Sequence, residues 1–210
     1  MINNITGRIK DNFKAKDKAR ESTLVISRDV VRNCRMSMYN IHNGNYEKAF
    51  ELIEDAAKML ESMNSMLKDH PDIYYSGFVE HAQQEFVESM VVYYILRNEN
   101  DKTIPGPDEL SVSDVAYLNG LGDVSGELRR HVLDLIRQGR PGEGEIYLQL
   151  MEDICNCLMM FDYPDAMTRG LRHKTDITRS VIEKTRGDLT NAIRQQKLEK
   201  AMREFEDRIN

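Results

Sequence analysis

Apolar residues recur at steps of three and four along nearly the whole chain, a period that suits the α-helix and leaves little room for strands. Phe50, Ile53, Ala57, Leu60 and Leu67 form one such series; Tyr117, Leu121, Val124, Leu128, Val132 and Leu135 form another. The spacing predicts about six helical segments, at roughly 4–42, 46–68, 73–97, 113–138, 145–161 and 166–209. The punctuation agrees. HNGN (42–45), with Gly44 as a C-terminal cap, HPD (70–72), DKTIPGPDEL (101–110), GRPGEG (139–144) and DYPD (162–165) all read as breaks. Ser113 stands where an N-cap belongs. Gly170 and Gly187 are places where the last segment could divide. The third segment turns apolar on every side after Phe86, which predicts a central, buried helix. Long helices with short connections imply an all-α bundle of six to seven mostly antiparallel helices, with residues 1–210 as one domain.

The 210 residues include 12 glycines, 5 prolines and no tryptophan, and good helix formers abound. The uncharged runs at 90–96 and 155–161 are far too short to cross a bilayer. MINNITGRIK at the start lacks the apolar stretch of a signal peptide. Cys34, Cys155 and Cys157 make no disulfide framework, and without a second pair Cys155 and Cys157 are no zinc site. They are expected to be buried free thiols of a cytoplasmic protein. A net charge of −6 argues against a chain that coats DNA over its whole surface. It leaves room for a local basic stripe.

The third segment carries His81, Glu85 and Glu88, whose spacings of four and three place them on one helix face. Two carboxylates a turn apart repel, and next to an apolar stretch they are costly without compensation. Hard Mg²⁺ or Mn²⁺ is the natural counter-charge, since it takes a few carboxylates and keeps other positions for water and phosphate. Asp123 and Glu127 form a second pair on the fourth segment, among Gly120, Gly122 and Gly126. Each glycine costs a helix about 1 kcal/mol against alanine, so close approach of a neighbouring helix or a substrate backbone is expected there. Packing of the two segments would converge four acids. Other readings remain open at this level. Such pairs are ordinary on solvated helices, and four helical acids also suggest a ferritin-like di-iron centre. That centre requires Glu-x-x-His, and no glutamate here has a histidine three residues on. No cysteine or serine pairs with a histidine at informative spacing, and no glycine-rich phosphate loop follows a strand.

QEFVES (84–89), SVSDVAYLNGLGDVSGELRR (111–130), FDYP (161–164) and the stretches 170–176 and 183–189 resemble the translin superfamily, which comprises translin and translin-associated factor X. SRDVVRNCR (27–35) and IHNGNYEKA (41–49) extend the resemblance over most of the chain. It implies a seven-helix fold, hollow and roughly octameric particles, and Mg²⁺-dependent cutting of single-stranded RNA. The acids of the factor X-type subunit fall on Glu85, Glu88, Asp123 and Glu127, most of which translin lacks; the chain thus resembles the catalytic branch. His81 matches one histidine of translin's nucleic-acid-binding motif, whereas Gly77 and Val79 replace its other residues.

The resulting expectation is a metal-dependent ribonuclease in which Glu85, Glu88, Asp123 and Glu127 hold Mg²⁺ or Mn²⁺ and act on single-stranded RNA, with single-stranded DNA a second possible ligand. Arg28, Arg32 and Arg35 share a face of the first helix, and Arg129 and Arg130 adjoin Glu127. With His81 they are candidate phosphate contacts, and salt bridges are their alternative role. Tyr74 and Tyr75 fit either base stacking or the core. The competing functions are a particle that binds single strands without cutting them and a purely structural helical oligomer.

Overall fold

A computed structural model of the protein describes residues 2–97 and 104–209. Six long helices dominate: α1 (Ile2–His42), α2 (Tyr46–Leu67), α4 (Gly77–Arg97), α6 (Asp114–Arg137), α7 (Glu145–Met159) and α9 (Leu171–Ile209). Single turns α3 (Pro71–Tyr74), α5 (Pro107–Leu110) and α8 (Asp165–Thr168) lie between them, with a 3-10 turn at Pro141–Gly144. No strand occurs among the described residues. The all-α bundle is therefore the fold, with ends close to those the periodicity predicts. The expected loop at 101–110 differs in part, because 107–110 form α5; its residues 101–103 lie outside the described set.

Local chemistry sets the helix ends. After α1, Gly44 has φ +76°, with its N–H on the Ile41 carbonyl at 3.0 Å and the Asn45 N–H on Asn40 at 2.9 Å. That pair of bonds is a Schellman stop, which needs a left-handed residue. At the start of α6 the Ala116 N–H donates to the Ser113 hydroxyl at 3.2 Å, the expected N-cap. The final segment divides at Gly170, where φ is +90°, and runs on unbroken through Gly187. A seventh long helix created by a break at Gly187 is thus corrected: a helical glycine costs about 1 kcal/mol, too little to end a 39-residue helix.

The chain forms two compact units, Met1–Gly120 and Leu121–Asn210. In the first, α1 packs on α2 and on α4, and α2 on α4. Val30, Cys34 and Ile41 of α1 are buried with Ile53, Leu60 and Met63 of α2 and Phe86, Val87 and Val91 of α4. The Ser37 hydroxyl donates to the Ala49 carbonyl at 3.0 Å inside this core, which satisfies a buried polar group. The buried Gln83 amide donates to the Tyr74 hydroxyl at 3.2 Å and accepts the Ser113 N–H at 3.2 Å. The side chains of α1 before Thr23 are exposed or half-covered.

In the second unit α7 packs on α9, and the 3-10 turn packs on both. Leu148, Met151, Cys155 and Leu158 form the buried stripe of α7, and Leu171, Ile182 and Leu189 that of α9. Cys34 and Cys155 are buried as expected. Cys157 is exposed, because two residues past Cys155 a helix has turned to its opposite face. No described helix is long and apolar enough to cross a membrane.

The glycines of α6 divide into two kinds. A Cβ on Gly120 would lie 2.8 Å from the Val87 Cβ and 2.9 Å from the Gln84 carbonyl oxygen, so α6 crosses α4 there at backbone distance. Gly122 leaves room for the Lys174 stem. Gly126 faces open space, so the expected close approach of a helix does not apply to it. Gly120→Ala is expected to destabilise the protein by about 1–3 kcal/mol through overpacking. Gly126→Ala should stabilise it by about 0.5–1 kcal/mol through helix propensity. Urea unfolding of both variants distinguishes the roles; equal shifts would contradict them.

Candidate functional site

Two turns into α4 the helix passes from a half-solvated to a buried environment, and the acids sit at that transition. Glu85 and Glu88 are half-buried, with Ala82, Phe86 and Val87 buried around them. The Arg35 Nε lies 3.6 Å from Glu85 Oε2 and the His81 Nε2 lies 3.6 Å from Oε1. Both distances are those of ion pairs rather than of direct hydrogen bonds. His81 is exposed.

Behind the acids lies Cys34. Burial pushes its thiol up to about 12, and the charges of Glu85 and then Glu88 add to the effect against an opposing hydrogen bond with Ser89. Only the thiolate attacks thiol reagents, and at pH 8 a thiol with that pKa is ionised to about one part in ten thousand. A chromogenic disulfide reagent at pH 8 is therefore expected to titrate Cys157 quickly and to reach Cys34 only after unfolding. Fast labelling of Cys34 in the native protein would refute this environment.

Arg28, Arg32 and Arg35 are four and three residues apart on α1 and all three are exposed. They line one groove of about 640 Å³ together with His81 and Phe78 of α4, and Leu24, Val31 and Met36 supply its apolar floor. Four of the six residues expected to contact phosphate thus meet in one place within the first unit. Arg32 also pairs with Asp29 at 3.1 Å. Arg35 and His81 belong both to this groove and to the ion pairs of Glu85, so the basic groove borders Glu85.

In the second unit Asp123 and Glu127 are half-buried on α6. The Lys174 Nζ of α9 lies 2.6 Å from Asp123 Oδ1. Arg130 Nη1 stands 3.8 Å from Glu127 Oε2. Arg129 donates to Asp188 at 2.8 Å and to the Thr185 hydroxyl at 3.1 Å, the salt-bridge role its sequence position also allowed. Tyr75 is exposed and packs edge-on to Tyr74 at 5.1 Å, so of the two only Tyr74 is even half-covered.

Among the described residues no three His, Cys, Asp or Glu side chains gather into a ready metal cage. A structural zinc site requires such a cage. Mg²⁺ does not: it binds through one or two carboxylates and fills its octahedron with water and phosphate oxygens. The donor chemistry is all carboxylate, and Glu85 and Asp123 each stand against a basic side chain. The match to a hard divalent ion is therefore one of donor chemistry.

The chain is 37% identical over 185 residues to an uncharacterized protein of Methanocaldococcus jannaschii, covering 87% of this chain and 80% of that protein. Its fold matches the crystal structure of AfC3PO with a TM-score of 0.80 and 30% identity, over 89% of this chain and 96% of that one. The chain belongs to the translin superfamily. AfC3PO in its complex with duplex RNA gives a TM-score of 0.79 at 29% identity, covering 89% of this chain and 95% of that one. Apo-NeC3PO shares the translin fold at a TM-score of 0.79 and 22% identity, over 89% and 96%. No protein-family model matches the sequence.

Sequence reasoning missed two residues of the site. Phe78 follows Gly77 at the start of α4 and gave no signal beyond being aromatic. Lys174 lies within the 170–176 stretch that carries the translin resemblance, and only the packing of α9 on α6 reveals its partner.

Proposed function

We propose that this translin-superfamily protein is a Mg²⁺-dependent ribonuclease that acts on single-stranded RNA, using Glu85, Glu88, Asp123 and Glu127. The observation that carries this reading is the Arg28–Arg32–Arg35–His81 groove, two of whose residues, Arg35 and His81, stand 3.6 Å from Glu85. Cations suited to phosphate thus stand beside a carboxylate suited to a divalent ion, an arrangement that would serve phosphodiester cleavage. Relationship to AfC3PO, solved in complex with duplex RNA, supports an RNA ligand.

When bound, Mg²⁺ would polarise the scissile phosphate and lower the pKa of an attacking water. The carboxylates would hold the ion, and one not engaged in ligation would accept the proton of the water. Arg28, Arg32 and Arg35 would neutralise successive phosphates without reading sequence. Arg35, already beside Glu85, would hand the strand from groove to acids. Attack by water leaves a 5′-phosphate and requires no 2′-hydroxyl, so single-stranded DNA is a possible second substrate and any RNA preference rests on other contacts.

Self-association into a hollow homo-oligomer, an octamer by resemblance, completes the proposal. Ile2, Ile5, Ile9 and Phe13 are exposed along one end of α1, and Leu198, Met202, Phe205 and Ile209 along one end of α9. Such stripes at three- and four-residue steps are the pattern of helices that bury against partners.

The pairing of Glu85 and Asp123 with basic side chains favours one competing reading, a particle that binds single strands without cutting them. A labelled single-stranded RNA incubated with the protein in Mg²⁺ separates the two. Cleavage that chelator abolishes supports the ribonuclease; binding without cleavage at any Mg²⁺ or Mn²⁺ concentration leaves the binding particle.

A further inference from the structure

Lys174 is placed more deliberately than an incidental surface ion pair. Its ammonium lies 2.6 Å from Asp123 Oδ1, and both side chains are largely covered, 22% and 30% exposed. To reach that position the lysine stem crosses α6 over Gly122, where any Cβ would collide with Lys174 Cγ. The crossing is pinned one turn further along α9, where the Thr178 hydroxyl donates to the Gly122 carbonyl at 3.3 Å. Gly122 interrupts a buried helix at the cost any glycine brings, and its packing around Lys174 accounts for it. A glycine notch, a buried stem and a close charged contact together deliver one positive charge to one carboxylate.

We propose that Lys174 is a positioning residue that serves as the built-in counter-cation of Asp123 and competes with the divalent ion for that carboxylate. The inference rests on the reading of Asp123 as a metal ligand. Without metal, the ammonium orients Asp123 and offsets the cost of its partial burial. A divalent ion arriving at Asp123 meets a fixed positive charge and must displace or share with it. Lys174 therefore weakens metal binding and holds the site in register while the metal is absent. Electrostatic repulsion between a divalent ion and a unit charge a few ångströms away, at near-aqueous dielectric, corresponds to about a tenfold change in affinity.

The test is calorimetric titration of Mn²⁺ into the full-length wild type, Lys174→Met, Lys174→Gln and Asp123→Asn, with no RNA present. Paired thermal melts with and without Mn²⁺ accompany each titration. The proposal expects the two lysine variants to bind Mn²⁺ about tenfold more tightly than wild type. Their melting temperature should fall in chelator and recover on adding Mn²⁺, and Asp123→Asn should bind at least about tenfold more weakly. Should the lysine variants bind Mn²⁺ with unchanged or lower affinity while Asp123→Asn binds weakly, the competition is overturned and Asp123 remains a ligand. If Asp123→Asn binds Mn²⁺ as wild type does, the ligand assignment fails and the competition falls with it. Lys174→Gln keeps part of the stem in the Gly122 notch, so it reports on charge even if Lys174→Met does not fold.

Discussion

Alanine at Glu85 or Asp123 is expected to reduce Mg²⁺-dependent cleavage of a labelled single-stranded RNA by at least about a hundredfold, since even outer-shell partners of a metal commonly cost ten- to a hundredfold. The loss should appear at saturating RNA, because the acids act on the reaction rather than on strand binding. Folding should survive. Glu85 faces a largely exposed Arg35 at 3.6 Å, and exposed ion pairs contribute about 0–1 kcal/mol. Asp123→Ala removes a closer and better covered partner and is expected to cost more stability. Asp123→Asn, which keeps the shape, is the better control for it. Cleavage that persists unchanged in both alanine variants while the proteins remain folded would remove the acids from the reaction.

Replacing Arg28, Arg32 and Arg35 together by alanine should act on binding instead. Each arginine that neutralises a phosphate of a single strand contributes about 0.7 to the slope of log affinity against log salt. Three fewer contacts predict a slope shallower by about 2 and, at moderate salt, an affinity loss of at least about tenfold. The loss should be similar for strands of different sequence, because phosphate contacts carry no base information. Fluorescence anisotropy across a salt series measures both quantities. An unchanged slope would show that the groove is not the strand path, whatever happened to the affinity. The triple variant removes little packing, since all three side chains are exposed, so a loss of binding would not reflect unfolding.

Much of the fold is legible in the sequence because helices are local objects. The three- and four-residue steps, the Ser113 cap and the Gly44 stop depend on neighbours within a turn, and each reappears in the structure with its hydrogen bonds. Gly187 misled for the same reason. A glycine signals possible flexibility, but whether a helix ends there depends on what the flanking turns pack on, and α9 runs through it. The cysteines show the limit on a smaller scale: composition marks them as free thiols, while the 200° separating Cys155 from Cys157 around the helix decides which one is exposed.

The candidate site divides along the same line. Spacing alone identifies Glu85 with Glu88, Asp123 with Glu127, and the arginine face of α1, because side chains at three and four residues share a helix surface. Spacing cannot say what stands opposite that surface. Only the packing of α1 on α4 joins the arginines to His81 and Phe78 in one groove and sets Arg35 against Glu85. Only the packing of α9 on α6 brings Lys174 to Asp123, 51 residues apart in the chain. The helical period, its stops and the acidic pairs thus belong to the sequence by itself, since they arise from contacts within a few residues. The cations that reach Glu85 and Asp123 from another helix, Arg35 and Lys174, were decided by tertiary structure, since they depend on which helix, distant along the chain, the core draws alongside.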